Sequence, residues 1–168
     1  MDYFNSYNSR AAGPYMSPNM PVMPNQMMMN ESLQVAIKLI RDAILGERED
    51  ELFYDYLISE APSEEDKKII ESIRNDERKH NKMFKELYTE LTGNMPPQAE
   101  EPEFVKPESY LAGIQKALFG ELGAVERYRR ILFALTKRKD INMLTEIITD
   151  EIKHSSKYNF LYAKNKIK

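Results

Sequence analysis

The sequence predicts an all-α protein: a four-helix bundle with one long crossover, preceded by a disordered N-terminal tail. From about residue 32 onward, apolar residues recur every three or four positions in four long segments, which is typical of amphipathic helices. A pattern of Gly-Glu, Tyr and Asp-Glu-x-x-His also occurs twice, always at an offset of 74 residues (121 − 47, 128 − 54, 154 − 80). We therefore expect a tail over residues 1–30 and one helical domain over residues 31–168.

Composition excludes several classes of function. The 168 residues, 42% of them hydrophobic, suit a single domain with a real core. A formal net charge of −3 makes nucleic acid an unexpected partner, and no apolar run reaches the roughly 18 residues that span a bilayer. The chain has no cysteine and no recognisable secretory signal, so we expect a cytoplasmic protein without thiolate metal sites.

The tail differs in composition from the rest of the chain. Residues 1–30 contain four prolines and seven methionines among Asn, Ser and Tyr, and prolines at this density oppose a helix. Scattered methionines in a mobile arm are one interpretation. A site for a soft cation such as Cu(I) and a docking segment for a larger assembly are the alternatives.

The first two helices form a predicted hairpin. Pro62 ends the first helix, and Ser63 is the expected N-cap of the second. Gly93 is the expected C-terminal stop. Each helix has one stripe, the row of residues at three- and four-residue spacing that is expected to face the core. The stripe of the first helix is Ile37, Ile40, Ile44, Glu47, Glu51, Tyr54 and Ile58. That of the second is Ile70, Ile73, Glu77, His80, Phe84, Leu87 and Leu91.

The other two helices form a second predicted hairpin after a connector over residues 94–106. The third helix starts at residues 107–109, and a polar turn is expected at residues 137–140. The stripes are Leu111, Ile114, Leu118, Glu121, Val125, Tyr128, Leu132 and Leu135, and Leu144, Ile147, Glu151, His154, Tyr158 and Leu161. A connector of this length extends up to about 46–50 Å, more than the roughly 42 Å of a 28-residue helix, so the third helix can run parallel to the second.

Six polar side chains interrupt these apolar stripes near the middle of the helices. Burying one unpaired carboxylate costs several kcal/mol. Four together would cost more than the free energy of unfolding of a typical domain, roughly 5–15 kcal/mol. Two divalent cations would neutralise four carboxylates beside two neutral imidazoles. Iron or manganese suits such mixed ligands. The candidate ligands are Glu47, Glu77, His80, Glu121, Glu151 and His154.

Other residues are expected to support these ligands. Asp76 and Asp150 precede the two Glu-x-x-His motifs, and each is placed to bind the second ring nitrogen of the His in the opposite half. Tyr54 and Tyr128 lie two helical turns beyond their Glu ligands, where a phenol reaches a ligand carboxylate. Ordinary core packing is the alternative for these tyrosines.

Two further pairs of residues flank the motif. Gly46 and Gly120 lie inside helices at a cost of about 1 kcal/mol each, which suggests a close approach of helices beside the site. Asp50 and Glu51 follow in the first half. We expect them to face solvent rather than to bind metal.

The order Glu, Asp-Glu-x-x-His, Glu, Asp-Glu-x-x-His on four helices resembles the ferritin-like di-iron carboxylate proteins, particularly rubrerythrins and bacterioferritins. The resemblance covers about residues 32–165. It implies that Glu77 and Glu151 bridge the two ions. It also implies a terminal pair of ligands for each ion, Glu47 with His80 for one and Glu121 with His154 for the other.

The chain departs from rubrerythrins in two respects. Those proteins carry a rubredoxin-like domain with four cysteines, and this chain has no cysteine. They also use an additional Glu one turn after the third-helix ligand, where this chain has Ala124, while Asp50 occupies the matching position of the first half. The ligand switching associated with peroxide reduction in that family is therefore not expected to carry over unchanged.

The resemblance and the residues together predict a non-haem di-iron redox protein. It would bind two Fe ions and oxidise Fe(II) with O₂ or H₂O₂, as a ferroxidase or a rubrerythrin-like peroxidase, with an unidentified electron donor. The resemblance also implies a homodimer. An iron storage or delivery protein with incidental oxidation and a di-manganese, catalase-like site are the alternatives.

Overall fold

The computed structural model describes residues 25–98 and 104–166, with side chains described from residue 29 onward. These residues form an all-α four-helix bundle, as the sequence predicts. Within them, no helix combines the length and the apolar character that crossing a bilayer requires. The helices are α1 (Asn25–Glu60), α2 (Glu64–Thr92), α3 (Tyr110–Leu132) and α4 (Arg138–Lys166).

The first helix is longer than the sequence suggests. It begins at Asn25, directly after the last proline of the tail segment, Pro24, and so includes residues 25–30. From this point no residue removes a backbone N–H or restricts φ, so the chain can continue as a helix. The rest of the predicted disordered tail, residues 1–24, lies outside the described residues.

Two of the helix ends are set by the capping residues that the sequence indicates, and a third is set by a serine at the predicted start of α3. The Ser63 hydroxyl accepts a hydrogen bond from the backbone N–H of Asp66 at 3.2 Å and so caps α2. Gly93 ends that helix with a positive φ of 70°, a conformation that glycine adopts without strain. Ser109 caps α3 by accepting from the N–H of Ala112 at 3.1 Å.

The turn between α3 and α4 lies earlier than predicted. The third helix ends at Leu132, and residues 133–137 form the connection. The polar residues that suggested a turn, from Arg138 to Asp140, instead form the first turn of α4. Polar side chains are compatible with either assignment, and an acid such as Asp140 is favoured in the first turn of a helix.

The long crossover is confirmed by the two apolar clusters of the core, one toward each end of the bundle. Ile70, near the start of α2, belongs to the same cluster as Ile114, near the start of α3. Leu87 and Ile131, near the ends of the same two helices, belong to the other. The two helices therefore run parallel, which is the arrangement that a long crossover produces.

The close approach of α1 and α3 occurs at a glycine that the sequence analysis did not single out. A Cβ atom on Gly113 would lie 2.7 Å from Cδ2 of Leu57. The expectation that Gly46 and Gly120 mark such an approach is wrong. A Cβ on Gly120 would meet nothing within 4 Å, and one on Gly46 would meet only an Asp50 oxygen at 3.6 Å, because both glycines border a cavity.

Candidate metal centre

Four of the six predicted ligands converge in the layer between the two apolar clusters. Glu77 from α2, Glu121 from α3, and Glu151 and His154 from α4 each place one ligand atom within 4.8 Å of the others. The last three are buried, with 7%, 1% and 0% of their surface exposed. The apolar stripes around them account for this burial, since each residue occupies a core-facing position of its helix.

The fifth predicted ligand, His80, completes the inner face of this group. Its Nδ1 lies 3.2 Å from Oε1 of Glu151 and 3.5 Å from Oε1 of Glu77. On the other side, Nδ1 of His154 lies 3.0 Å from the same Glu77 oxygen. The two imidazole rings are 5.8 Å apart, with Glu77 and Glu151 close to both.

The atoms that face one another in this layer have no ordinary partners. Four buried atoms lack a hydrogen bond to any residue in the described part of the chain, despite separations of 3.0–3.5 Å: Glu77 Oε1, His80 Nδ1, Glu151 Oε1 and His154 Nδ1. Leaving a buried polar group unsatisfied costs about 1–3 kcal/mol. Two carboxylates and two imidazoles whose oxygen and nitrogen atoms point at a common space form a donor set that suits a transition-metal ion.

An outer layer of acids holds the imidazoles in the orientation that metal binding needs. Nε2 of His80 lies 3.1 Å from Asp150, and Nε2 of His154 lies 3.0 Å from Asp76, so each His contacts the aspartate of the opposite half. An N–H on Nε2 leaves the lone pair on Nδ1, which faces inward. Lys153 joins the two aspartates, with its Nζ 2.6 Å from Asp150 and 3.0 Å from Asp76.

The sixth predicted ligand, Glu47, lies apart from the other five. Its carboxylate forms an ion pair with Nζ of Lys85 at 2.7 Å, and its side chain is 35% exposed. It nevertheless lines a small cavity of about 30 Å³ together with Glu77 and His80. The structure thus places Glu47 beside the layer, with its carboxylate directed to a lysine.

The two acids that follow Glu47 differ from each other. Glu51 is engaged by Arg78 through two hydrogen bonds of 2.6 and 2.7 Å, although both residues line the smaller cavity. Asp50 is exposed as a whole residue, but its carboxylate borders both cavities at the layer. Desolvation and then the negative charge of Glu77 raise the pKa of Asp50 to about 7. The surroundings of the carboxylate, rather than the exposure of the whole residue, determine this pKa.

Both predicted tyrosines border the same two cavities. Tyr54 is buried and Tyr128 is half-buried. Burial, followed by nearby ionisable groups, raises the pKa of each phenol well above its usual value of 10, so both keep their protons and can donate hydrogen bonds. A third phenol, Tyr158, is fully buried, and its hydroxyl has no hydrogen-bond partner among the described residues.

The ionisable groups of the layer shift one another's pKa values. Burial raises the pKa of Glu77, but the two histidines outweigh it and hold that pKa below its usual value. Burial and then the neighbouring Glu151 raise the pKa of Glu121 well above its usual value. Burial lowers the pKa of His80, whereas Glu151 and Glu77 raise it to about 10 overall. The metal-free layer thus holds extra protons, which a cation would displace.

A cavity of about 230 Å³ connects the layer with the surface between α1 and α3. Glu77, Glu121 and Glu151 form its inner wall, and Gly46 and Gly120 border it without side chains that would fill it. Asp50, Lys116 and Arg127 add charges of both signs. The space is large enough for a small oxidant or a hydrated ion.

Three functional candidates that the repeat does not predict, Lys85, Lys153 and Tyr158, lie where its two halves differ or make different contacts. Lys85 corresponds to Asn159 and Tyr158 to Phe84 at the same offset of 74 (159 − 85, 158 − 84). Lys153 corresponds to Lys79 (153 − 79), which contacts Glu146 instead of the aspartates. The signal in the sequence is a difference between equivalent positions, as at Lys85 and Asn159 or at Phe84 and Tyr158.

Comparison with known proteins agrees with this geometry. The rubrerythrin family model matches residues 38–162. The uncharacterized protein YhjR of Bacillus subtilis (strain 168) is 33% identical over 123 residues, which cover 72% of this chain and 82% of that protein. The crystal structure of a conserved hypothetical protein, rv2844, from Mycobacterium tuberculosis is similar with a TM-score of 0.68 at 12% identity. This likeness, which concerns the fold alone, covers 79% of this chain and 93% of that one.

Proposed function

The chain belongs to the rubrerythrin family, and from this premise we propose that it is a non-haem di-iron redox protein. In this proposal it binds two Fe ions per chain and oxidises Fe(II) with O₂ or H₂O₂. The observation that carries the proposal is the group of four buried, unpartnered atoms on Glu77, His80, Glu151 and His154. These atoms face a shared space from two helices, and no hydrogen bond from the described residues satisfies them.

The residues of the layer divide naturally between two metal positions. Glu77 and Glu151 lie close to both imidazoles and would be shared. His154 with Glu121 would complete one position, and His80 would serve the other. When bound, two iron ions supply the electrons that reduce the oxidant.

The surrounding residues determine what reaches the ions and how the ligands are held. Asp76 and Asp150 fix the tautomer and the direction of the two imidazoles. The cavity beside Gly120 admits a small molecule, while the apolar clusters on either side keep bulk water out. Tyr54 and Tyr128 remain protonated and border this cavity, so they are placed to donate hydrogen bonds to an oxidant or to a ligand carboxylate.

The proposal is tested by adding Fe(II) anaerobically to the full chain and then supplying O₂ or H₂O₂. We expect about two ions per chain and a rise in near-ultraviolet absorption as Fe(III) forms on its carboxylate ligands. Glu77→Ala is expected to abolish most of both signals, because it removes the shared carboxylate. Glu86→Ala, on the exposed side of the same helix, is the matched control and is expected to behave like the wild type. Equal behaviour of Glu77→Ala and the wild type would refute the proposal.

The donor set also favours a second candidate, a di-manganese site that disproportionates peroxide. Carboxylates and imidazoles bind Mn as well as Fe, and the geometry of the protein ligands does not distinguish the two. Metal analysis of the protein purified from its native source separates them. Iron supports the ferroxidase or peroxidase proposal, and stoichiometric manganese supports the catalase-like alternative.

A further inference from the structure

We propose that Lys85 holds Glu47 out of the metal centre and thereby makes the two metal positions unequal. The position formed by Glu121 and His154 fills first. The position at His80 fills second, after Glu47 has left Lys85. This inference rests on the proposed function, since it concerns the order in which the same centre is loaded.

The two terminal carboxylates differ in geometry although they occupy equivalent places in the repeat. Glu121 is buried, its Oε2 lies 3.9 Å from Nδ1 of His154, and it belongs to the convergent group of ligand atoms. Glu47 is half-buried, and its carboxylate is 2.7 Å from Nζ of Lys85 and outside that group. One position is therefore assembled in advance, and the other needs a side-chain movement.

The movement that Glu47 requires is short. The small cavity that it lines is shared with Glu77 and His80, two other ligands of the second position. Its volume of about 30 Å³ exceeds the roughly 10–15 Å³ that accommodates one water molecule, so a single ion has room there. In the proposed loading step, the Glu47 carboxylate exchanges Lys85 for an ion in this shared cavity.

The cause of the inequality is visible in the repeat. The position equivalent to Lys85 in the second half is Asn159, whose amide carries no charge. Glu121 therefore has no cation at the place where Glu47 has one. The predicted ligands themselves are identical in the two halves, and Lys85 is a difference between the halves that contacts a predicted ligand directly.

The size of the effect follows from the exposure of the ion pair. The side chains of Lys85 and Glu47 are 39% and 35% exposed. A pair of this kind typically changes an equilibrium constant by about fivefold at most. We therefore expect Lys85 to weaken the second binding step about two- to fivefold and to leave the first step unaffected.

The test is calorimetric titration of the full chain with Mn(II), which is stable to oxidation during the measurement. In Lys85→Gln, the second step is expected to tighten about two- to fivefold while the first is unchanged. Lys85→Arg keeps the cation and should resemble the wild type. The control is Lys139→Gln, which makes the same change in net charge at a lysine that pairs with Glu86 and Glu90, near the C-terminal end of α2.

A second readout uses the wild type alone. With one equivalent of Mn(II), electron paramagnetic resonance should show mainly isolated ions, because the first position fills before the second. Magnetically coupled pairs beside metal-free chains at this ratio would overturn the inference. So would two bound ions with binding steps that Lys85→Gln leaves unchanged or tightens equally. Failure of the wild type to bind Mn(II) or Fe(II) at all would instead refute the proposed function.

Discussion

At the scale of single residues, each imidazole of the layer is held from both sides. In His154, one nitrogen contacts Asp76 and the other faces Glu77. An imidazole fixed in this way cannot rotate freely, and its inward lone pair is available without reorganisation. In the proposed metal centre, the aspartates act through the histidines and not by direct contact with the ions.

The first prediction concerns Asp76. Asp76→Ala removes the acceptor for Nε2 of His154, and we expect metal affinity to fall by about 10- to 100-fold. Titration with Mn(II) measures the change. Asp55→Ala is the control, because Asp55 is an exposed acid that pairs with Arg74 away from the layer. Equal affinities in the two variants would mean that Asp76 has no positioning role.

The second prediction concerns pH in the metal-free protein. The pKa of His80 is raised to about 10 in the fold from its ordinary value of 6.5. Protonation of His80 therefore stabilises the fold fully below about pH 6.5, and this contribution is lost as the pH rises through 10. We expect the free energy of unfolding to fall by a few kcal/mol (roughly 2–4) across this range.

Urea denaturation at several pH values measures this fall. In His80→Gln the decrease should be clearly smaller, since the titrating group is gone. The raised pKa of Asp50 acts in the same direction at lower pH, because the ionised carboxylate is disfavoured in the fold between about pH 4 and 7. A stability that rises between pH 6.5 and 10 would contradict the electrostatic account of the layer.

At the scale of the helices, local sequence signals were sufficient where one residue controls a helix end. Ser63 and Gly93 are recognisable as boundaries because capping and positive φ depend on the residue itself, whereas the start of α3 is predicted only as residues 107–109. The start of α4 was misjudged because a run of Lys, Arg and Asp suits a polar turn and a first helical turn equally well. Tertiary packing determines whether such a run forms a turn or the start of a helix, and packing cannot be read from a single sequence.

The third prediction uses two glycines in the same helix. Gly113→Ala places a Cβ 2.7 Å from Leu57, so α1 and α3 must shift, and we expect a loss of about 1–3 kcal/mol of stability. Gly120→Ala meets no atom within 4 Å and is expected to gain up to about 1 kcal/mol from the higher helix propensity of alanine. Urea denaturation of both variants tests this contrast. Similar effects in the two would show that the spacing of the helices is not as described.

The candidate centre was predictable from the sequence only as far as the repeat is regular. The two Glu-x-x-His motifs and their aspartates follow from helical spacing, because residues three apart share a face. The partner of Glu47 does not follow from spacing. Its carboxylate pairs with Lys85, which lies on the neighbouring helix α2, and this contact depends on how the two helices pack. The role of Gly120 also escaped prediction, since close contact and open space both permit glycine.

At the scale of the whole molecule, two apolar clusters enclose one polar layer. One contains Ile40 and Leu87 and the other contains Ile70 and Ile114, so they lie on opposite sides of the layer along the bundle. The two apolar clusters thus close the layer along the bundle axis, while the cavity between α1 and α3 connects it with the surface. The raised pKa values of Glu121 and His80 reduce the net negative charge that these acids bring together when no metal is bound.

The fourth prediction concerns assembly. We expect a homodimer in solution, as the resemblance to rubrerythrins implies, and light scattering of the full chain measures the mass directly. A dimer is consistent with a redox protein that acts in solution. A large closed shell would contradict this expectation and favour the alternative of iron storage. A monomer would contradict the dimer alone and would leave the metal centre unaffected.

Anomalous diffraction at the iron edge, from crystals grown with Fe(II), tests the central claim most directly. Our account predicts two peaks per chain in the layer, about 3.5–4 Å apart, with Nδ1 of His80 and Nδ1 of His154 each bound to one ion. Peaks confined to surface acids, or an empty layer in which both imidazole nitrogens remain unbound at saturating Fe(II), would contradict it.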